Sequence, residues 1–219
     1  MAIDAGSGYA MNNYANMLQS GDGIPVDKEE ANKYYKMAIE AGNPSAMFNY
    51  AFKLYNGDGI PINKEEAVKY FKMAADNGLS DAMSYYAFIL EKGKGVPINI
   101  EEAIKYYKMA IDHGNSNAIN NYAYMLEKGI GVPINKEEAI RYYKMAIDKG
   151  NSLSLLNLGR LLLCGGCGDD GMKKEGNDLI QLALTKNDSS VFYWYAQMLE
   201  KGDGIEVNKE EAIKYYKIN

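Results

Sequence analysis

One histidine, two cysteines and a single tryptophan leave this 219-residue chain little of the chemistry from which active sites are built. Two thiols cannot staple a secreted scaffold of this size, so a reducing compartment and a cytoplasmic location are the expectation. No run approaches the roughly 20 apolar residues of a membrane span, and Met1-Ala2-Ile3-Asp4 has neither the basic start nor the apolar core of a signal peptide. An excess of cations is missing too. The 24 Lys+Arg face 29 Asp+Glu, a formal charge of −5, which argues against nucleic acid and against an anionic membrane as partners. What the chain has in quantity is glycine, 22 residues, and tyrosine, 19 residues.

Both excesses belong to an internal period, which is read before any local motif. Gly21-Asp22-Gly23, Gly57-Asp58-Gly59, Gly93-Lys94-Gly95 and Gly129-Ile130-Gly131 recur every 36 residues, and Gly202-Asp203-Gly204 follows two periods plus one residue later. Gly166-Cys167-Gly168 fits the missing copy if one residue is inserted before it. These glycines punctuate loops. A dinucleotide fingerprint would need G-x-G-x-x-G between a strand and a helix, and no strand is predicted.

Each period predicts two helices. Asn43 caps the first, with Pro44 at the position where a missing N–H costs nothing. Ala46, Met47, Tyr50, Ala51 and Leu54 form its apolar stripe. Asn63 opens the second helix with a capping box to Glu66, repeated as Asp27/Glu30, Asn99/Glu102, Asn135/Glu138 and Asn208/Glu211. Tyr14, Tyr50, Tyr86, Tyr122 and Tyr195 share one register in the first helices. Tyr34-Tyr35, Tyr70-Phe71, Tyr106-Tyr107, Tyr142-Tyr143 and Tyr215-Tyr216 share one in the second. A repeating aromatic column is what stacked hairpins need for a core.

The unit A-M-x-x-Y-A-x-x-L-x-x-G-x-G-I-P-x-N-x-E-E-A-x-K-Y-Y-K-M-A-x-x-x-G resembles the Sel-1-like repeat, a longer-looped relative of the tetratricopeptide repeat. The family's Leu-Gly pair is literal only at Leu158-Gly159; elsewhere it is Tyr-Ala, as at Tyr50-Ala51. The resemblance covers essentially the whole chain. It implies an all-α fold, a right-handed α-solenoid of antiparallel helix pairs in about six 36-residue repeats, in a single domain over residues 1–219. The units fall near 7–42, 43–78, 79–114, 115–150, 151–187 and 188–219, with 1–6 as the tail of a preceding helix. Both ends then stop inside second helices, so the expectation is a window on a longer array, or ends covered by neighbours.

The resemblance also implies a role as adaptor or scaffold for a protein or peptide partner, with flanking repeats or domains of the same chain as further candidates. Its alternative is a spacer or regulatory region of a larger protein. In tetratricopeptide-like arrays the first helices line the concave groove, and some arrays grip peptide backbone with an asparagine there. Aligned on Leu158-Gly159, one groove column holds Asn13, Asn49, Tyr85, Asn121, Asn157 and Trp194. The column three residues on holds Asn16, Phe52, Phe88, Tyr124, Arg160 and Gln197, and the one before holds Asn12, Phe48, Ser84, Asn120, Leu156 and Tyr193. An asparagine amide carries a donor and an acceptor, matching the N–H and C=O of an extended peptide. Candidate groove residues are therefore Asn13, Asn49, Phe52, Tyr85, Phe88, Asn121, Tyr124, Asn157, Arg160 and Trp194. The competing reading is that the asparagines brace neighbouring helices and that Phe52 and Phe88 are core.

Repeat five stands apart. Leu153, Leu155, Leu156, Leu161, Leu162 and Leu163 replace polar positions, the capping box is missing, and Gly176 stands at the Ala67 register. Drift beneath covering neighbours and an exposed apolar docking site are both open. Cys164-Gly165-Gly166-Cys167 closes a helix, the wrong end for a dipole-activated thiol. Zinc would need two more ligands, so incidental loop cysteines are expected, with a redox-sensitive pair as the lesser option. His113 sits in a last helical turn, and Asp169-Asp170 lacks further oxygen ligands for Ca²⁺. No acid, base and nucleophile cluster, so neither an enzyme nor a cofactor or metal is expected.

Overall fold

The computed structural model describes residues 6–164 and 170–218. Twelve helices and no strand occur among them: α1 (Gly8–Ser20), α2 (Lys28–Glu40), α3 (Pro44–Asn56), α4 (Lys64–Asp76), α5 (Ser80–Lys92), α6 (Ile100–Asp112), α7 (Ser116–Lys128), α8 (Lys136–Asp148), α9 (Ser152–Cys164), α10 (Asp170–Leu184), α11 (Ser189–Lys201) and α12 (Lys209–Tyr216). Two units divide the chain, Met1–Asn115 and Ser116–Asn219. Within each, consecutive helices pack as hairpins in series, the repeating architecture of an α-solenoid.

Two recurrent joints set the hairpin geometry. Inside a hairpin, the second-helix cap ties back to the first helix: the Asn63 N–H donates to the Leu54 carbonyl at 2.8 Å, and Asp27, Asn99, Asn135 and Asn208 do the same to Leu18, Leu90, Leu126 and Leu199. The expected capping boxes form with one change. Each cap oxygen accepts from the backbone N–H three residues on, as Asn63 does from Glu66 at 3.1 Å. In the asparagine-capped boxes the glutamate accepts from the cap's side-chain Nδ2, at 2.9 Å for Glu66, because the cap's backbone N–H is already committed across the hairpin.

Between hairpins, one residue serves two helices. The Asn43 N–H donates to Ala38 O and the Gly42 N–H to Ile39 O, closing α2 with a Schellman motif, while Asn43 Oδ1 accepts from Ala46 N and opens α3. Gly42 has φ +78°, the left-handed conformation this motif requires. At the end of repeat five that register is held by Asn187 with φ +52°, the next most tolerant residue for the conformation. Gly57 combines the same requirement with crowding: it caps α3 at φ +76°, and a Cβ there would lie 2.6 Å from Ile62 Cγ1.

The tyrosine columns meet within hairpins. Tyr14–Tyr34, Tyr50–Tyr70, Tyr86–Tyr106, Tyr122–Tyr142 and Tyr195–Tyr215 are edge-to-face pairs with centroids 4.7–5.4 Å apart. The adjoining Tyr35, Phe71, Tyr107 and Tyr143 are buried. Repeat five substitutes aliphatic packing. Leu155, Leu156, Leu161 and Leu162 are buried and Leu153 and Leu163 half-buried, so drift beneath covering neighbours describes them and an exposed apolar patch does not. Gly159 and Gly176 make the α9/α10 contact unusually close: a Cβ on Gly159 would stand 2.7 Å from the Gly176 carbonyl oxygen and from Ile180 Cγ1. Gly159→Ala should therefore destabilise the Ser116–Asn219 unit by about 1–3 kcal/mol despite alanine's better helix propensity. A lower urea midpoint at unchanged slope is the expected measurement, and an unchanged or raised midpoint would remove the close-contact argument.

Candidate interaction surface on the first helices

In the Met1–Asn115 unit, the groove columns lie on α1, α3 and α5. Asn13 is exposed and Asn49, Phe52, Tyr85 and Phe88 are half-buried. The asparagines join in a side-chain chain. Asn49 Nδ2 donates to Asn12 Oδ1 at 3.1 Å and to Asn16 Oδ1 at 3.2 Å, and Asn12 Nδ2 donates to Asn13 Oδ1 at 3.4 Å. The Ser116–Asn219 unit repeats the pattern on α7 and α9, where Asn157 Nδ2 donates to Asn120 Oδ1 at 2.9 Å and Asn120 Nδ2 to Asn121 Oδ1 at 3.3 Å. These amides brace adjacent repeats. Asn49 uses both Nδ2 hydrogens in these bonds and Asn157 one of its two, while Asn13 and Asn121 each accept one bond at Oδ1.

Between α3 and α5 the brace is aromatic instead. Phe52 and Tyr85 are 4.6 Å apart, Phe48 and Tyr85 6.2 Å, Phe71 and Tyr85 4.7 Å, and Tyr85 and Phe88 6.3 Å between ring centroids. Lys94 lies over the Phe88 ring at 4.6 Å and Lys128 over Tyr124 at 5.7 Å. Burial, with a smaller contribution from Tyr55, raises the Tyr85 hydroxyl above its ordinary pKa. Trp194 remains 47% exposed, its ring 5.4 Å from Tyr193.

Arg160 departs from the expectation for a partner-binding side chain. It is only 5% exposed, and its Nη2 donates to both Glu127 carboxylate oxygens, at 2.7 and 2.6 Å, while Nη1 lies 3.7 Å from Asp203. Tyr143 Oη also donates to Glu127, at 3.0 Å. Burial pushes the Glu127 carboxyl upward, but hydrogen bonds and charge from Arg160, with Lys128 beyond, hold it below the usual carboxylate range. The arginine is a structural tie between α7 and α9, because a fork of donors fits a carboxylate more closely than it fits a groove.

A second polar knot, unforeseen in the sequence, ties α1, α2 and α3. Lys53 is buried and bonds to Gln19, which in turn bonds to Asp58; Lys28 donates to Asp58 at 2.6 Å. That hydrogen bond, ahead of the charge of Lys53, lowers the Asp58 pKa. Burial, set against the favourable Asp58 charge, lowers that of Lys53. Asp203 holds the same place in its own Gly-x-Gly loop and also reaches back one repeat, accepting from Cys164 at 3.3 Å. Burial and this aspartate raise the Cys164 thiol pKa, the opposite of a reactive thiolate. Its expected companion Cys167, with Gly165, Gly166 and Asp169, lies outside the described residues. His113 is an exposed helix end whose Nδ1 meets the Met109 carbonyl at 2.9 Å.

The buried pair carries a sign-definite pH dependence. A carboxyl held low in the folded state adds stability above its unfolded pKa, about 4.3, and loses it as pH falls through the depressed folded value. Glu127→Gln should cost about 3 kcal/mol at neutral pH by leaving Arg160 buried with only the more distant Asp203 as counter-charge. Urea titrations should show that the gap from the parent narrows on acidification below about pH 4. Glu127→Leu with Arg160→Met should recover most of the loss. A gap that stays constant with pH would refute the pairing.

A family model, Sel1 repeat, matches residues 8–43, 44–79, 80–115, 116–151 and 193–218. The first four segments lie one residue later than the expected units, the fifth starts inside the last unit, and 152–192, most of repeat five and the start of repeat six, is unmatched. No curated protein matches the chain. Among solved structures, a Sel1 repeat protein from Oxalobacter formigenes is similar at TM-score 0.82 and 25% identity, over 97% of this chain and 85% of that one. A protective antigen of uropathogenic Escherichia coli strains displaying an SLR fold is similar at TM-score 0.79 and 22% identity, over 99% of this chain but only 46% of that one. An immunity protein of Pseudomonas aeruginosa shares the fold at TM-score 0.57 and 15% identity, over 96% and 80%. With four contiguous matched repeats, a fifth beyond them, and a hairpin tie that recurs at Asp27, Asn63, Asn99, Asn135 and Asn208, the chain belongs to the Sel1 repeat family.

Proposed function

We propose that this chain is a non-enzymatic interaction scaffold that holds an extended peptide or partner segment against its first helices. Sel1 repeat proteins are generally protein-interaction scaffolds and are typically not enzymes. No helix among the described residues is long and apolar enough to cross a membrane. One observation carries the finer reading. In each unit an amide pair, Asn13 with Asn49 and Asn121 with Asn157, is engaged on one side by its neighbours, the Nδ2 of Asn49 and Asn157 donating and the Oδ1 of Asn13 and Asn121 accepting, which leaves amide donors on Asn13 and Asn121 and amide acceptors on Asn49 and Asn157 for a partner. An extended backbone offers the matching C=O and N–H, with little dependence on its side chains. Phe52, Tyr85 and Phe88 beside the first pair, and Tyr124 and Trp194 in the other unit, supply the aromatic surface that fixes a partner's side chains. Arg160 has no part in this reading.

The amide pairing also determines which substitutions are informative. Asn49→Ala and Asn157→Ala remove inter-repeat bonds, so lost binding there would mix stability with contact. Asn13→Ala, Asn121→Ala and Trp194→Ala touch exposed or half-buried groups. Together they should lower capture from a displayed library of extended peptides by about tenfold or more, since a hot-spot aromatic alone contributes that much. The thermal midpoint should change little. An absence of peptide capture by the parent chain, or capture indifferent to the triple change, would overturn the groove reading.

A further inference from the structure

Where a Gly-x-Gly loop carries aspartate and follows a described hairpin, that hairpin supplies a cation. Asp58 accepts from Lys28 at 2.6 Å and from Gln19, and Arg160 Nη1 lies 3.7 Å from Asp203. The loop of the third repeat breaks the rule. Lys94 stands at the Asp58 register, Lys64 at that of Lys28 and Tyr55 at that of Gln19. The loop is seated in the same way: a Cβ on Gly95 would lie 3.2 Å from Lys64 Cβ, as one on Gly59 would lie 2.8 Å from Lys28 Cβ. Two lysines therefore share the place where the earlier copy has an ion pair. Each turns onto a ring, Lys64 Nζ 5.3 Å from the Tyr55 centroid and Lys94 Nζ 4.6 Å from that of Phe88. Both are exposed, and neither has a carboxylate partner among the described residues. Asp58 is held by Lys28, and Glu91 by Lys92 at 2.6 Å and Tyr107 at 2.9 Å. One repeat later the two registers read Ile100 and Ile130, so the doubled lysine does not recur there.

We propose that this place is a subsite of the groove for an acidic residue: an Asp or Glu side chain of the bound segment takes the position that Asp58 fills in the earlier copy, against Lys64 and Lys94, and an apolar neighbour of that residue lies on Tyr85 and Phe88. The proposal rests on the groove reading and adds to it a side-chain preference within the Met1–Asn115 unit. A carboxylate here offsets two ammonium groups that otherwise repel each other, and the rings beneath them limit the water that screens the contact. Lysine is a compact charge that imposes no forked geometry, so aspartate and glutamate both serve. Because the lysines stay open to solvent on their outer side, the gain is that of surface ion pairs, which select a partner more than they hold it. Against a formal charge of −5 an acidic segment gains nothing from the chain as a whole, so a preference for it reports this pair of lysines.

The test uses the full chain and two labelled extended peptides, identical except for a central Glu-Phe-Glu in one and Gln-Phe-Gln in the other. By fluorescence anisotropy the glutamate peptide should bind about fivefold more tightly at low ionic strength, and its advantage should shrink as salt is raised. Lys64→Gln combined with Lys94→Gln should bring the two peptides to equal affinity and leave both the glutamine peptide's affinity and the thermal midpoint unchanged. Lys94→Asp should also remove the preference, and by recreating the Lys28–Asp58 arrangement it should raise the midpoint. Equal affinity of the two peptides for the parent chain, or a preference that survives the double lysine change, would overturn the proposal and leave the groove reading in place. A midpoint lowered by Lys94→Asp would overturn it as well, by showing that the two lysines do not share one place. Binding of neither peptide would sink the acidic subsite, while the groove reading is judged separately by capture from the peptide library.

Discussion

The hydrogen bond from the Asn63 N–H to the Leu54 carbonyl, and its counterparts in the other capped hairpins, constrains everything built on them. It spans only nine residues, fixes where the second helix starts relative to the end of the first, and forces the chain between through a tight turn that glycine must make. Once that bond is set, the apolar stripes face each other and the edge-to-face tyrosine pairs fall into place without further instruction. The altered capping box follows from the same constraint: the glutamate takes the cap's side-chain amide because the backbone donor is occupied.

Stacking one hairpin on the next is governed by a different rule, complementarity between columns one residue apart in adjacent repeats. Asn12 meets Asn49, Phe48 meets Tyr85, and Asn120 meets Asn157. Amide goes with amide and ring with ring, since an amide opposite a ring would lose its partner in a half-buried place. Variation in these columns thus records which repeats fit each other. The charged ties work likewise: Glu127 with Arg160, and Lys53 with Gln19 and Asp58, each join a repeat to its neighbour.

The period, the caps, the positive-φ glycines and the aromatic core were legible because each depends on spacing inside a single repeat. Asn63 and Glu66 are three residues apart in any context, and a glycine after a helical stripe stops a helix wherever it stands. Arg160 was not legible in the same way. Its register places it on the groove column, but its burial depends on a carboxylate 33 residues earlier, and only Leu90-Glu91-Lys92, Leu126-Glu127-Lys128 and Leu199-Glu200-Lys201, each with a tyrosine 16 residues on, hinted at such an acceptor. The asparagine ladder was visible as a column, whereas the direction of each amide depends on which neighbour accepts. Gly176 gains its reason only from Gly159, 17 residues earlier, whose helix packs directly against it.

Asn43 ends one helix and begins the next, so the connection between repeats has no spare residue. Length variation in such an array is therefore confined to one of its two kinds of connection. After repeat five the joint keeps a left-handed residue, now Asn187, with Asp188 as the new cap. Lengthening a hairpin loop reshapes one edge of the protein and leaves the stacking order intact. Lengthening a joint would rotate every repeat beyond it, so the joints are where a one-residue indel would propagate furthest.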